Sequence, residues 1–304
     1  MRPDGFYLGV HEPSWLRAGG GLPGPLFVSR VRLAGRVPRL RPGRPACFAD
    51  GRRVYPAAVD WACDSGGFSE IAAHGRWTLT PRQYAAELRH YREAIGRLQW
   101  AAPQDWMCEP PMLHKTGRTI ADHQALTIES VAELRTLLGG DVHIVPVLQG
   151  WHVDDYLRHV ELYVDAGFDL GAEPLVGLGS VCRRQALGEA KAIVEALAGL
   201  GIKLHGFGMK TEGFTLYGAH LETADSMAWS TAGRLRPDPD CDKKTCANCR
   251  HYARAWRCRA LAGLQDAVGR QCGLPLRYAA TALTAPDVTG PRAGNRRCDT
   301  PREE

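Results

Sequence analysis

Nowhere in the 304 residues is there a run of about 18 apolar residues, so no helical membrane span is expected. Met1 to Gly9 lack a basic stretch followed by an apolar core; no secretory signal is visible, and a cytoplasmic location is expected. Without a secretory context the ten cysteines do not read as a disulfide framework. No short-period repeat is present, and charge of neither sign dominates. The net charge of +5 suits a polyanionic partner without requiring one. Composition is that of a globular chain, 44% hydrophobic and 23% charged, long enough for one large domain or two small ones.

The arginines are unevenly placed. Arg30, Arg32, Arg36, Arg39, Arg41, Arg44, Arg52 and Arg53 crowd one segment, and Arg234, Arg236, Lys243, Lys244, Arg250, Arg254 and Arg257 form a second basic group. The two groups read either as a phosphate-facing surface or as solvated faces. Residues 17–56, rich in Gly, Pro and Arg, read as irregular, and the polar tail 286–304 as disordered.

Between them, short apolar runs alternate with amphipathic stretches. Tyr84, Leu88, Tyr91, Ile95 and Leu98 recur at helical spacing, as do Leu187, Ala190, Val194 and Leu197, and Leu157, Val160 and Val164. Strand candidates are 6–10, 58–63, 105–108, 143–148, 175–178, 204–207 and 226–229, each bounded by Gly, Pro or polar residues. Such alternation predicts parallel strands with crossover helices. Polar residues gathered just after the strand ends favour a closed (β/α)₈ barrel, a TIM-like α/β fold, over a doubly wound sheet. The eighth strand has no clear candidate.

The strand ends carry the chemistry. The run 58–63 leads into Asp64-Ser65-Gly66-Gly67-Phe68, where paired glycines let the backbone turn tightly beside a flat ligand. Gln149 and Gly150 follow a second strand, and Gly177-Leu178-Gly179 offers backbone amides without bulk at a third. Asp225 places another carboxylate at the head of the run 226–229. A lone aspartate at a strand end is usually a turn or cap residue. The ordered set DSGGF, PVLQG, VGLGS, HGFGMK and ADSMAWS is far more specific than any member.

That set resembles the tRNA-guanine transglycosylase superfamily from about Phe6 to Trp256. WMCEPPML (106–113), VGLGSVCRRQ, HGFGMK, ADSMAWS and CANC are most similar to its DpdA-like branch, which places 7-deazaguanines in DNA. The resemblance implies a (β/α)₈ barrel with a zinc-binding insertion. It makes Asp225 the nucleophile on the sugar and Asp64 the residue handling the base and its proton. Gln149 and Gly179 are implied contacts to the purine edge, with Ser65, Gly66, Gly67, Phe68, Gly150, Gly177 and Met209 in the same blocks. Cys108 and Glu109 fall where the family has an acidic base-reading segment. The chemistry asks for the same equipment: a carboxylate to trap the sugar carbon, and a second group to protonate the departing base. The implied partners are DNA and a free 7-deazaguanine base. Arg234 and Arg236, shortly after Asp225, read either as phosphate contacts beside it or as solvated surface residues. The same chemistry on tRNA and a non-catalytic nucleic-acid-binding barrel are the alternatives. Oligomeric state is left open, a homodimer included.

Cys241, Cys246 and Cys249 offer three thiolates within nine residues, a structural zinc pattern. The superfamily's site is C-x-C-x-x-C with a later histidine. Here Lys244 stands in the first cysteine's place, so Cys241 substitutes, and no histidine follows His251. His251, Cys272 and Asp242 are the candidates for a fourth ligand, and a metal-free thiol cluster is the alternative. Cys47, Cys63, Cys108 and Cys182 read as small core residues. The expected organisation is a barrel over 1–235, a Cys-rich helical subdomain over 236–285 that completes it, and the tail.

Overall fold

Short buried strands, each two to five residues long, alternate with helices along nearly the whole chain. The computed structural model describes residues 1, 3–17, 22, 24–33, 56–181 and 188–271, with backbone alone for 266–271. The elements run β1 (Phe6–Val10), β2 (Leu26–Ser29), α1 (Arg30–Leu33), β3 (Trp61–Asp64), α2 (Gly67–His74), α3 (Pro81–Ala94), β4 (Leu98–Ala101), α4 (Pro110–Thr116), α5 (Ile120–Leu138) and β5 (Val147–Leu148). They continue with α6 (Val153–Asp165), β6 (Val176–Leu178), α7 (Gly188–Gly199), β7 (Leu204–Gly206), α8 (Thr211–Tyr217), β8 (Thr223–Ser226), α9 (Ala228–Leu235) and α10 (Arg250–Gln271). The tail, Cys47, Cys182, Leu187, Cys272 and Arg36 through Arg53 lie outside the described residues.

All eight strands are parallel, in the order β4-β3-β2-β1-β8-β7-β6-β5. The two ends of that order meet. Ala101 at the end of β4 bridges Ile144, just before β5, through Ala101 N–H to His143 O (2.9 Å) and Val145 N–H to Ala101 O (3.1 Å). The α/β barrel expected from the sequence is therefore present, and every strand ends on one rim.

Side chains sort by strand alternation. Tyr7, Phe27, Ala62 and Trp100 point inward and meet Val145, Leu175 and Phe207. Their neighbours Phe6, Leu8, Leu26, Val28, Trp61 and Cys63 point outward into the layer packed under the helices. Helix α3 is set by a Thr80–Gln83 capping box, with Pro81 at its first position. Its buried stripe is Tyr84, Leu88 and Tyr91, as the spacing predicts. No helix among the described residues is long and apolar enough to cross a membrane.

Four expectations need correction. The missing strand is β2, inside the Gly/Pro/Arg-rich segment read as irregular. The fourth strand is Leu98–Ala101 rather than 105–108, which runs as a loop over the rim. The last strand begins at Thr223 and holds Asp225 within it; Trp229 is already helical. On α6 the buried face is Tyr156, His159 and Tyr163, whereas Val164 is exposed.

Arg30 ties the end of β2 to two helices. Its Nε donates to Glu87 of α3 at 2.7 Å and its Nη1 pairs with Glu70 of α2 at 3.5 Å, all three side chains being largely buried. Removing the guanidinium would leave two carboxylates facing each other without a counter-charge. Arg30→Met should therefore lower stability by about 3 kcal/mol in urea unfolding, and a loss under about 1 kcal/mol would show the cluster to be dispensable.

Candidate active site

Asp64 closes β3 and lines a cleft of about 520 Å³ at the strand-end rim. The turn after it depends on Gly66, at φ +80°, where a Cβ would also come within 2.5 Å of Val31 Cγ2. Gly67 then starts α2. Burial pushes the Asp64 carboxyl above the usual carboxylate range and the charge of Asp225 adds to that; hydrogen bonds from Ser29 and the Gly66 backbone oppose it.

Beyond β4, Asp105 is buried on the cleft wall. Its Oδ2 accepts from Gln149 Nε2 at 2.6 Å and its Oδ1 from Ser65 Oγ at 3.3 Å. Burial, with the nearby Asp64 charge, pushes its carboxyl up to about 7. Gln149 follows β5 and is held on all sides. Its N–H donates to His159 Nδ1 at 2.9 Å, and its carbonyl accepts from Gln124 Nε2 at 2.8 Å. Its Oε1 accepts from Ser180 Oγ at 2.7 Å. Gly179 must lack a side chain, because a Cβ there would sit 2.3 Å from Gln149 Nε2. The Ser180 hydroxyl has one proton for two acceptors, Gln149 Oε1 and Glu109 Oε2 at 3.0 Å, while accepting from Cys108 N–H at 2.9 Å.

Across the cleft, Asp225 of β8 is buried. Its Oδ1 accepts from Gly208 N–H at 2.9 Å and faces His205 Nε2 at 3.4 Å. The other ring nitrogen of His205 bonds Thr223 Oγ1 at 2.8 Å. His205 lies among the rings of Trp100, Phe207, Phe27 and Tyr7, with centroids 4.7 to 5.9 Å away. That burial lowers its pKa, against the pull of Asp225, and so favours a neutral ring that donates without adding a cation.

Of the residues predicted from sequence, Asp64, Asp225, Gly67, Phe68, Glu109, Gln149 and Gly179 line the cleft together, with the Phe68 ring 44% exposed. Ser65, Gly66, Gly150, Gly177 and Met209 are not among its lining residues. Gly150 gives room to Asp155, Gly177 to Phe207, and the Met209 N–H donates to the Asp225 carbonyl at 2.8 Å. Arg234 and Arg236 are exposed at the end of α9, off the cleft wall. Asp105, Ser180 and His205 were missed. With the fourth strand set at 105–108, Asp105 read as a strand's first residue and not as a rim carboxylate.

The three cysteine sulfurs of Cys241, Cys246 and Cys249 lie within 4.8 Å of one another, with Cys241 and Cys249 3.9 Å apart. Thiolates on a tetrahedral zinc with ~2.3 Å bonds stand roughly 3.8 Å apart, so the donor set fits that ion. His251 is exposed on α10 and does not belong to the group, which leaves the fourth position unassigned among the described residues. Cys63 and Cys108 are buried singly, as expected. Protein purified without chelator should carry about one equivalent of zinc, and Cys246→Ser should release it and lower Tm. Less than about a tenth of an equivalent would refute the site, because structural thiolate sites bind tightly.

No curated protein matches the sequence. Among solved structures, the chain is similar to a candidate isomerase from Sinorhizobium meliloti in an open-loop conformation, at 13% identity and a TM-score of 0.38. That likeness covers 73% of this chain and 50% of the other, so the chain spans half the length of that neighbour. The family model for DpdA, "DeoxyPurine in DNA protein A", matches residues 2–299. With nearly its whole length matched, the chain belongs to the DpdA family.

Proposed function

We propose that the protein is a transglycosylase that exchanges guanine in DNA for a 7-deazaguanine through a covalent aspartyl–sugar ester. Family membership supports a deazapurine DNA-modifying role in general. The observation that supports the specific reading is the presence of Asp64 and Asp225 in one cleft with the hydrogen-bonded network of Asp105, Gln149 and Ser180.

In this reading the target guanine is turned out of the helix into the cleft. The Asp105 carboxylate accepts from the donors on the base's N1 and 2-amino edge, and the Gln149 amide and Gly179 backbone hold its other polar edge. Asp225 is oriented through Oδ1 by Gly208 and His205, which leaves Oδ2 for attack on C1′. The C1′–N9 bond breaks as the C1′–O bond forms, and Asp64, whose raised pKa favours its protonated form, gives its proton to the departing guanine. The incoming base returns a proton to Asp64, attacks C1′ through N9 and frees Asp225. Bond energy is kept in the ester, so no ATP enters. A zinc ion held by Cys241, Cys246 and Cys249 would serve structure; Arg234 and Arg236 lie on an exposed face suited to phosphates.

Two outcomes test the reading. Asp225→Ala should abolish exchange with the fold intact, and incubation with DNA and an incoming-base analogue should give a covalent adduct only when Asp225 is present. A variant exchanging at the wild-type rate would remove Asp225 from the chemistry. Affinity for free 7-deazaguanine should also follow the Asp105 carboxyl at about 7, because the base bonds the ionised form. Binding should weaken by about tenfold per pH unit below that value and level off above it. Asp105→Asn should bind more weakly and without this profile. A flat wild-type profile from about pH 5 to 8 in calorimetry would contradict the assignment.

A further inference from the structure

Four carboxyls line the cleft: Asp64, Asp105, Glu109 and Asp225. One guanidinium stands among the described lining residues, that of Arg32, which enters no ion pair among them. A polyanion bringing a nucleotide to so acidic a cleft needs a cation where its backbone passes the rim, and Arg32 is exposed there, just beyond β2.

Its position is held by a relay whose directions can be assigned. Arg32 Nη2 lies 3.1 Å from His11 Nδ1, and a guanidinium can only donate, so Nδ1 accepts and the proton sits on Nε2. His11 Nε2 then donates to Ser230 Oγ at 2.9 Å, and Ser230 donates to the Ala247 carbonyl at 2.8 Å. Ala247 stands between Cys246 and Cys249. One line of hydrogen bonds thus joins the cysteine loop, through α9 and the end of β1, to the rim guanidinium. Burial, together with the charges of Arg32 and Arg234, lowers the His11 pKa against the pull of Glu12, which agrees with a neutral ring.

We propose that Arg32, positioned by His11, Ser230 and the cysteine loop, is the seat for a phosphodiester of the nucleotide whose base enters the cleft. The assignment rests on the base-exchange reading, but binding tests it without turnover. Binding of a guanine-containing single-stranded oligodeoxynucleotide, followed by fluorescence anisotropy across salt concentrations, should lose about 0.7 from its log–log slope in Arg32→Gln, the share of one phosphate. In exchange assays the same variant should raise KM about tenfold, the scale of one hydrogen bond to a charged group, with kcat little changed. Calorimetric affinity for free 7-deazaguanine should stay at the wild-type value, which also shows that the cleft is intact. Arg32→Lys should recover most of the salt slope, and Ser230→Ala, which cuts the relay, should raise KM by less than Arg32→Gln does. An Arg32→Gln protein with wild-type salt slope and KM would overturn the proposal. So would a fall in kcat at unchanged KM, since Arg32 would then act in the chemistry. If wild-type protein exchanges no guanine yet loses the slope in Arg32→Gln, the phosphate seat stands and the exchange reading falls.

Discussion

The 2.6 Å hydrogen bond from Gln149 to Asp105 spans the seam where the barrel closes. One partner follows β4 and the other follows β5, and beneath them the Ala101–Ile144 bridge joins the end of β4 to the residues just before β5. Shifting that seam would carry the amide away from the carboxylate and leave buried polar atoms unpaired, which costs more than the bond itself contributes. The rest of the network follows from it. Ser180 reaches Gln149 from β6 and passes to Glu109, Ser65 reaches Asp105 from the glycine turn, and His159 and Gln124 fix the Gln149 backbone from the helices.

Gathering four carboxyls in one cleft is electrostatically unfavourable, and the structure answers with protons and neutral donors more than with cations. Asp64 and Asp105 are both raised, chiefly by burial. Because the folded Asp105 binds its proton more tightly than the unfolded chain does, this group costs stability as pH rises from the ordinary carboxylate range toward 7. His205, enclosed by aromatic rings, favours its neutral form beside Asp225 and so adds no cation to the cleft. The guanidinium among the described lining residues, that of Arg32, stands at the rim, where the proposed phosphodiester seat lies.

Much of this was legible in the sequence because strand–turn chemistry is local. The glycine pair after Asp64, the amide after PVL and the small residues of VGLG mark strand ends in one dimension, and the barrel brings them together. What failed to show had physical reasons. The β2 run is four residues long amid turn formers, too short for a periodicity. Leu98 continues the helical spacing of α3, but Gly96 and Arg97, both at positive φ, break the helix before it. On α6 the buried face is Tyr156, His159 and Tyr163, whose polar atoms bond Gly179 O, the Gln149 N–H and the Val147 backbone. Counting apolar residues chose the neighbouring stripe. The three cysteines were legible because they fall within nine residues, whereas their spacing alone named no fourth partner, and none stands beside them among the described residues.

The most direct test of the account is an exchange assay with isotopically labelled guanine preloaded in an oligodeoxynucleotide or in tRNA, each incubated with enzyme and free 7-cyano-7-deazaguanine. Release of label from DNA, with nucleoside mass spectrometry finding the deazapurine in its place and tRNA reacting poorly, is the predicted result. Label retained in every DNA form tested, or tRNA exchanging at least as fast, would contradict it.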